Sequence, residues 1–567
     1  MRQKQSRQVI LLVALVSMLA GAALAAETPE AQSIRKRRVE ALLPEALAAH
    51  GIDCWLVFTR ESSRDPMAAD VAGGAVVARA AFIFARTANG FRKIAIVASY
   101  DVTPVKESGI YDEVISYRNE GIKPHLNKII TELNPQRIGI DFSRDVPTAD
   151  GLTLGMRNYL EETLGAEMAG RFVSAQPVVV SFRGRRLPEE VALLREAAAY
   201  TDKIMREALS EKAITPGKTT EKDVADYLQR RTEEFGARVA FASVVVGPSR
   251  GHAGPSDRRI QPGDLVRIDF GINHRGYSTD VQRTAYVLRP GESGPPAEIQ
   301  KMWDTCRRAT DAAIAAMKPG VTGNDVDTVA RKVLTDAGYA GYPHAAGHPI
   351  GFDVHDVGPL LGPDWKERYG STVWLKLEKD QTFAVEPILY AEYAPMGGEI
   401  NIGIEEDVVV TAGGVERLHP RQDELLVIRS QNAPSVEQKT VEELSYCELI
   451  ASADRYDGAR VSVFALYNYG FEWQEMLCME CRSFGRMTWM EFTGDEKEIN
   501  KQLRKAPKHQ GVIAGQFIGV FRRRSSLYGG YGFEFEVERV SDVRVLIRDY
   551  ETPLASLPTC CKLEAGD

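Results

Sequence analysis

The stretch VRIDFGINHRGYSTDVQRT, residues 266–284, decides how the rest of the chain is read. It reads as two strands joined by a turn at His274–Gly276, with Asp269 and Asp280 eleven positions apart and symmetric about that turn. An even-numbered loop centred there sets the two aspartates opposite each other, on one face of the ladder, with Cβ atoms about 4.5–5.5 Å apart. Two buried carboxylates at that separation repel, so one is protonated or a cation lies between them. Taken alone, such a stretch is more often a surface hairpin with two solvated acids.

Other acids and histidines keep it company. In INIGIEE (400–406), Ile400, Ile402 and Ile404 alternate with Asn401, Gly403 and Glu405, so a strand places Glu405 with Gly403 on the face opposite the isoleucines. Glu386 ends TFAVEP (382–387), where Pro387 stops the ladder. His348 lies between glycines in GYPHAAGHPIGFDVHDVGP (341–359), expected to be a loop that lets backbone come close. Of nine histidines, four (His252, His344, His348 and His355) fall in these few segments. Two aspartates, one histidine and two glutamates form an oxygen-rich donor set that suits hard or borderline divalent ions, and four carboxylates can hold two of them.

With these residues the central region resembles the pita-bread metallopeptidases, the group of methionine aminopeptidase, aminopeptidase P and prolidase. The family's ligand order of Asp, Asp, His, Glu, Glu is matched by Asp269, Asp280, His348, Glu386 and Glu405. The resemblance spans roughly residues 190–430 and is closest to the Xaa-Pro aminopeptidase and prolidase branch. It implies two divalent ions as cofactors, manganese first, with cobalt, iron or zinc as alternatives. It also implies that Glu386 takes a proton from the attacking water as well as binding metal. His252 and His355 would hydrogen-bond the substrate carbonyl and the tetrahedral intermediate, and His344 would contact substrate. The activity implied is aminopeptidase action on a peptide substrate. Two departures stand out. Gly403 replaces an arginine usual in the branch, and Pro349 replaces a glycine after the histidine. The first puts Xaa-Pro specificity in question and is expected to leave an open side to the strand; Arg283 or Arg421 are candidates to supply the missing guanidinium. The alternative is a catalytically inactive scaffold that acts as a binding protein, which the presence of all five ligands argues against.

Around this centre, 567 residues imply two to four domains, and 44% hydrophobic content is that of a globular chain. The net charge of −8 gives no reason to expect nucleic acid as a partner. Residues 1–25 have the form of a signal peptide: Arg2, Lys4 and Arg7, then an apolar run from Val9 to Leu19, then Ala23-Leu24-Ala25 before Ala26. The expectation is a bacterial periplasmic or secreted protein without a membrane anchor after cleavage, with a homodimer possible. Residues 30–186 alternate short apolar runs (54–58, 80–85, 93–98, 137–141) with helical patterns and read as an α/β domain resembling the N-terminal domain of creatinase and prolidase. Residues 187–430 form the α+β pita-bread domain. A helix opens at Leu187-Pro188-Glu189-Glu190, and others are expected over 221–235, 297–317 and 324–337. After a polar linker, residues 431–567 read as a small all-β module, of the OB-barrel type, with no assigned role. Its Cys478-Met479-Glu480-Cys481 reads as a structural pair in preference to a redox or zinc motif.

Overall fold

The computed structural model describes residues 28–250, 254–429, 442–470, 474–478, 481, 487–493, 496–504, 506–507, 510–528 and 531–547. The leader and the linker expected above lie outside them, as does His252. The chain divides into two compact units, 1–434 and 435–567.

In the first unit the apolar runs become β1 (Cys54–Thr59), β2 (Ala80–Thr87), β3 (Gly90–Ala98) and β5 (Ile138–Ile140). With β4 (Glu113–Tyr117) and β6 (Phe172–Ser174) they form a mixed sheet ordered β4-β3-β2-β1-β5-β6. Its strands read as continuous apolar runs because both faces are covered. Trp55 and Val57 pack towards helix α1 (Pro29–Ala49), whereas Leu56 and Phe58 pack towards α2 (Lys123–Leu133) and α3 (Leu154–Ala169).

The pita-bread half follows. Helices α4 (Pro188–Ala208) and α5 (Glu221–Glu234) back a sheet ordered β17-β10-β8-β7. Its strands are β7 (Arg238–Val246), β8 (Leu265–His274), β10 (Val281–Val287) and β17 (Leu426–Ile428), with β9 (Tyr277–Ser278) paired to β8. Val266, Ile268, Phe270 and Ile272 alternate into the core shared with α4 and α5, which turns Arg267 and Asp269 to the opposite face. Glu190, in the first turn of α4, is fully buried. It accepts from the Leu187 N–H (2.7 Å), Arg38 of α1 (2.6 Å) and the Tyr277 hydroxyl (3.0 Å), so the acid expected only to complement the helix end also ties α1 to the hairpin.

A second layer carries α6 (Ala297–Ala316) and α7 (Gly323–Asp336). Against it lie a sheet ordered β11-β12-β15-β16 and the hairpin β13–β14. These strands are β11 (Gly347–Pro349), β12 (Thr382–Val385), β13 (Ile388–Tyr393), β14 (Gly398–Gly403), β15 (Glu406–Val410) and β16 (Val415–Arg417). The strand read in INIGIEE (400–406) is therefore broken into two. It changes partner at Ile404–Glu405, pairing with β13 before that point and with β12 after it.

The second unit bears out the expected small β module. Five strands close on themselves in the order β19-β20-β21-β23-β22, with β22 pairing back to β19. They are β19 (Arg460–Tyr469), β20 (Gln474–Leu477), β21 (Met487–Phe492), β22 (Gly511–Tyr528) and β23 (Tyr531–Ile547), and the short β18 (Glu442–Ser445) adds parallel to β19. This is the closed five-stranded ring of the OB-type reading, with short helices added, among them α8 (Glu496–Leu503) between β21 and β22. Cys481 pairs with Cys447 across 5.6 Å of Cα separation, and the Cys478 sulfur lies beside them, so the CxxC does not close on itself alone.

Candidate metal centre

The β8–β10 hairpin turns one residue later than a pairing of Asp269 with Asp280 requires. His274 pairs with Tyr277, so Arg275 and Gly276 are the two central residues, both at positive φ (52° and 90°). That is the two-residue turn whose twist matches a hairpin. Asp269 consequently faces Gln282, not Asp280. Asp280 stays on the same face as a diagonal neighbour, because shifting the partner by two preserves the pleat. The ladder opens at Thr279–Asp280. Gly271 permits this, since a Cβ there would overlap the Thr279 carbonyl oxygen and come within 2.6 Å of the Phe241 ring.

The other donors arrive from separate elements. His348 sits on the short strand β11, opposite Ala384 of β12, and not in a loop. Gly347 allows that close approach, because its Cβ would overlap the Ala384 carbonyl. Glu386 follows β12, its amide held by the Ala346 carbonyl (2.7 Å), and Glu405 sits at the break between β14 and β15. Ligand atoms of Asp269, Asp280 and Glu405 lie within 4.8 Å of one another, as do those of His348, Glu386 and Glu405 and those of Asp280, His348 and His355. His348 Nε2 is 3.4 Å from Asp280 Oδ2 and 3.8 Å from Glu386 Oε1. The structure thus brings all five expected ligands together.

Asp280 and Glu405 are buried, and burial, then the neighbouring carboxylates, hold both carboxyl groups well above the usual range. Burial likewise raises Glu386, with Asp269 adding to it and Arg267 opposing it. Burial pushes the His348 imidazole down to about 3, keeping it neutral, as a metal ligand must be. Asp280 Oδ1 and Glu405 Oε2 are buried with no hydrogen-bond partner. Orphaned, mutually repelling carboxylate oxygens are the environment that a divalent cation relieves, so these residues fit the ions.

The remaining expected residues divide. His355 is exposed and meets the His348 ring edge-on at 4.2 Å. Its loop is pinned by Asp356, which is held below the normal carboxylate range. Burial raises this carboxyl, but the Arg183 and Arg186 guanidinium groups (2.8 and 2.7 Å) outweigh that effect. His344 lies outside the three donor groups, its ring 5.1 Å from Tyr342, and burial pushes its imidazole down to about 4.

Sequence reading missed the supports of the site. Gln282 Nε2 donates to Asp269 Oδ2 (2.9 Å), and buried Asp407 accepts the Asp280 amide (3.2 Å). Arg283 donates to the Glu405 carbonyl (2.5 Å) but faces the α4 side, between Asp202 and Glu406. The space at Gly403 is not open. An added Cβ would overlap the Gln282 carboxamide and reach 3.1 Å from its Cγ. Pattern reading looks for charged or imidazole donors, so a neutral amide beside the hairpin carried no signal.

Two helix-backed layers around a carboxylate-rich donor set define a pita-bread metallopeptidase. The model of metallopeptidase family M24 matches residues 192–412. The chain is 30% identical over 260 residues to the Xaa-Pro dipeptidase of Pyrococcus furiosus, covering 45% of this chain and 68% of that protein. It is 33% identical over 261 residues to the probable dipeptidase PepE of Mycobacterium tuberculosis, covering 45% of this chain and 64% of that one. The solved dipeptidase PepE from Mycobacterium ulcerans matches with a TM-score of 0.54 at 25% identity, over 71% of this chain and all of that one (100%). The chain belongs to metallopeptidase family M24 and is a metal-dependent peptide hydrolase.

Proposed function

We propose that this chain is an exported exopeptidase that removes the first residue of a peptide, proline being admitted second. In this reading it uses two divalent ions held by Asp269, Asp280, His348, Glu386 and Glu405. The orphaned oxygens of Asp280 and Glu405 inside a five-donor cluster carry this reading. The oxygen-rich set with one imidazole favours manganese among first-row ions. The names of the relatives, Xaa-Pro dipeptidase and probable dipeptidase, support action at a peptide end. A disulfide in the second unit supports an oxidising compartment. With no ligand missing, nothing favours an inactive binding scaffold.

Two divalent ions held by Asp269, Asp280, His348, Glu386 and Glu405 would supply a bound water of lowered pKa and a Lewis acid for the scissile carbonyl. In this reading Glu386, its side chain 20% exposed, takes the proton of the attacking water and delivers it to the leaving nitrogen. His355, exposed beside His348, donates a hydrogen bond where negative charge develops on the carbonyl oxygen. The carboxylates attract the substrate's α-ammonium, which restricts cleavage to the first bond. Asp280→Asn tests the assignment. Metal content should fall and hydrolysis should drop more than about 100-fold, the upper range for losing even an outer-sphere partner, in a folded protein. Unchanged turnover in this variant overturns the ligand set.

A further inference from the structure

A second buried cation stands beside the donor cluster without an anion of its own. Arg267 lies two residues before Asp269 on β8 and so shares its face. It is only 7% exposed, and its Nε has no hydrogen-bond partner. Among the described residues no carboxylate lies within ion-pair distance of it. Burying an unpaired guanidinium is costly, and that cost is relieved when an anion pairs with it. Arg267 points to the side of the sheet that carries the donor cluster, because Asp269 on the same face has a ligand atom within 4.8 Å of those of Asp280 and Glu405.

Arg267 also stands close to position 403. Its partner across the ladder is Thr284, whose hydroxyl donates to the Gly403 carbonyl (3.1 Å) and accepts from the Gly403 amide (3.2 Å). The two arginines that sequence reading offered as replacements are both engaged. Arg283 lies on the α4 face, and Arg421 pairs with Asp311 and Asp423. The distance along the strand from Asp269 to Arg267 is two residues, about 6.6 Å. A single substrate residue beyond the cleaved bond places a terminal carboxylate within such a reach.

We propose that Arg267 binds the C-terminal carboxylate of the substrate, so that the preferred substrate class is the dipeptide with a free acid end. This rests on the exopeptidase reading above and specifies its substrate. A guanidinium meets a carboxylate with two parallel charge-assisted hydrogen bonds, which an amide or a longer peptide cannot supply at the same point.

The test compares an Xaa-Pro dipeptide with its C-terminal amide on the metal-loaded protein. The free acid should be favoured by about 10–100-fold in kcat/KM. Arg267→Met should abolish that preference, lowering turnover of the acid far more than that of the amide, while Arg267→Lys keeps part of it. Binding of proline against prolinamide, read by calorimetry, needs no turnover and should show the same loss in Arg267→Met. If neither peptide is cleaved, the peptidase reading has failed, and the proline measurement still decides the role of Arg267. Equal handling of acid and amide by the natural protein overturns the proposal, as does an Arg267→Met variant that keeps the preference or loses both substrates equally.

Discussion

Gly403→Ala is a one-carbon change at a residue outside the set of expected metal ligands, and it should weaken metal binding. The three atoms nearest to the new Cβ are Oε1, Cδ and Cγ of Gln282, so the carboxamide must move. Its Nε2 then leaves Asp269 Oδ2, a charge-assisted bond of 2.9 Å. Losing an outer-sphere partner of this kind lowers metal affinity by about 10–100-fold. Crowding in a closed site adds about 1–3 kcal/mol of destabilisation. Gly403 is not among the glycines at positive φ. Backbone entropy alone therefore predicts the opposite sign, a gain of about 0.4–1 kcal/mol. Gln282→Ala removes all three clashing atoms, so Gly403→Ala in that background should be neutral or stabilising and should leave metal affinity at the level of Gln282→Ala. Calorimetric titration with Mn²⁺, together with thermal unfolding of the metal-free protein, measures both arms of this double-mutant cycle. Wild-type metal affinity in Gly403→Ala, or an equal penalty in both backgrounds, would refute the coupling.

Two further outcomes are expected. In the first unit the buried carboxyls of Asp65 and Asp141 interact, Asp141 accepting from Trp55 Nε1 (2.7 Å); burial is the main cause that pushes Asp65 up to about 7 and Asp141 well above the normal range. A raised folded-state pKa stabilises below the unfolded value near 4, and this stability is lost as pH rises towards 7, by at most about 1.4 kcal/mol per pH unit per proton. Asp65→Asn, which imitates the protonated acid, should therefore raise the melting temperature at pH 8 and give little change at pH 4; a variant less stable at pH 8 contradicts the raised pKa of Asp65. The proposed export predicts a mature protein that begins at Ala26 by mass spectrometry, and a retained Met1 rules out leader cleavage.

The five candidate donors were legible because each sits where local pattern fixes direction. Ile400 and Ile402 commit one face of a strand to the core, and Pro387 ends the strand that delivers Glu386. What stayed hidden depends on geometry that no single segment states. The hairpin register turned on Arg275 adopting positive φ, a conformation usually announced by Asn-Gly or Asp-Gly. The sheet change at Ile404–Glu405 depends on the partners β12 and β13, which lie elsewhere in the chain. Gly403 shows the consequence most clearly. Read alone, its missing side chain is a gap in specificity. In the fold the gap is filled by Gln282 from the facing hairpin, and an unpaired arginine stands one strand away at position 267. The side chain absent from β14 and the two present on β8 and β10 form one local arrangement. A substitution at any one of the three positions is therefore expected to change what the other two do, and single-site comparisons with relatives that carry arginine at 403 will misjudge the specificity of this chain.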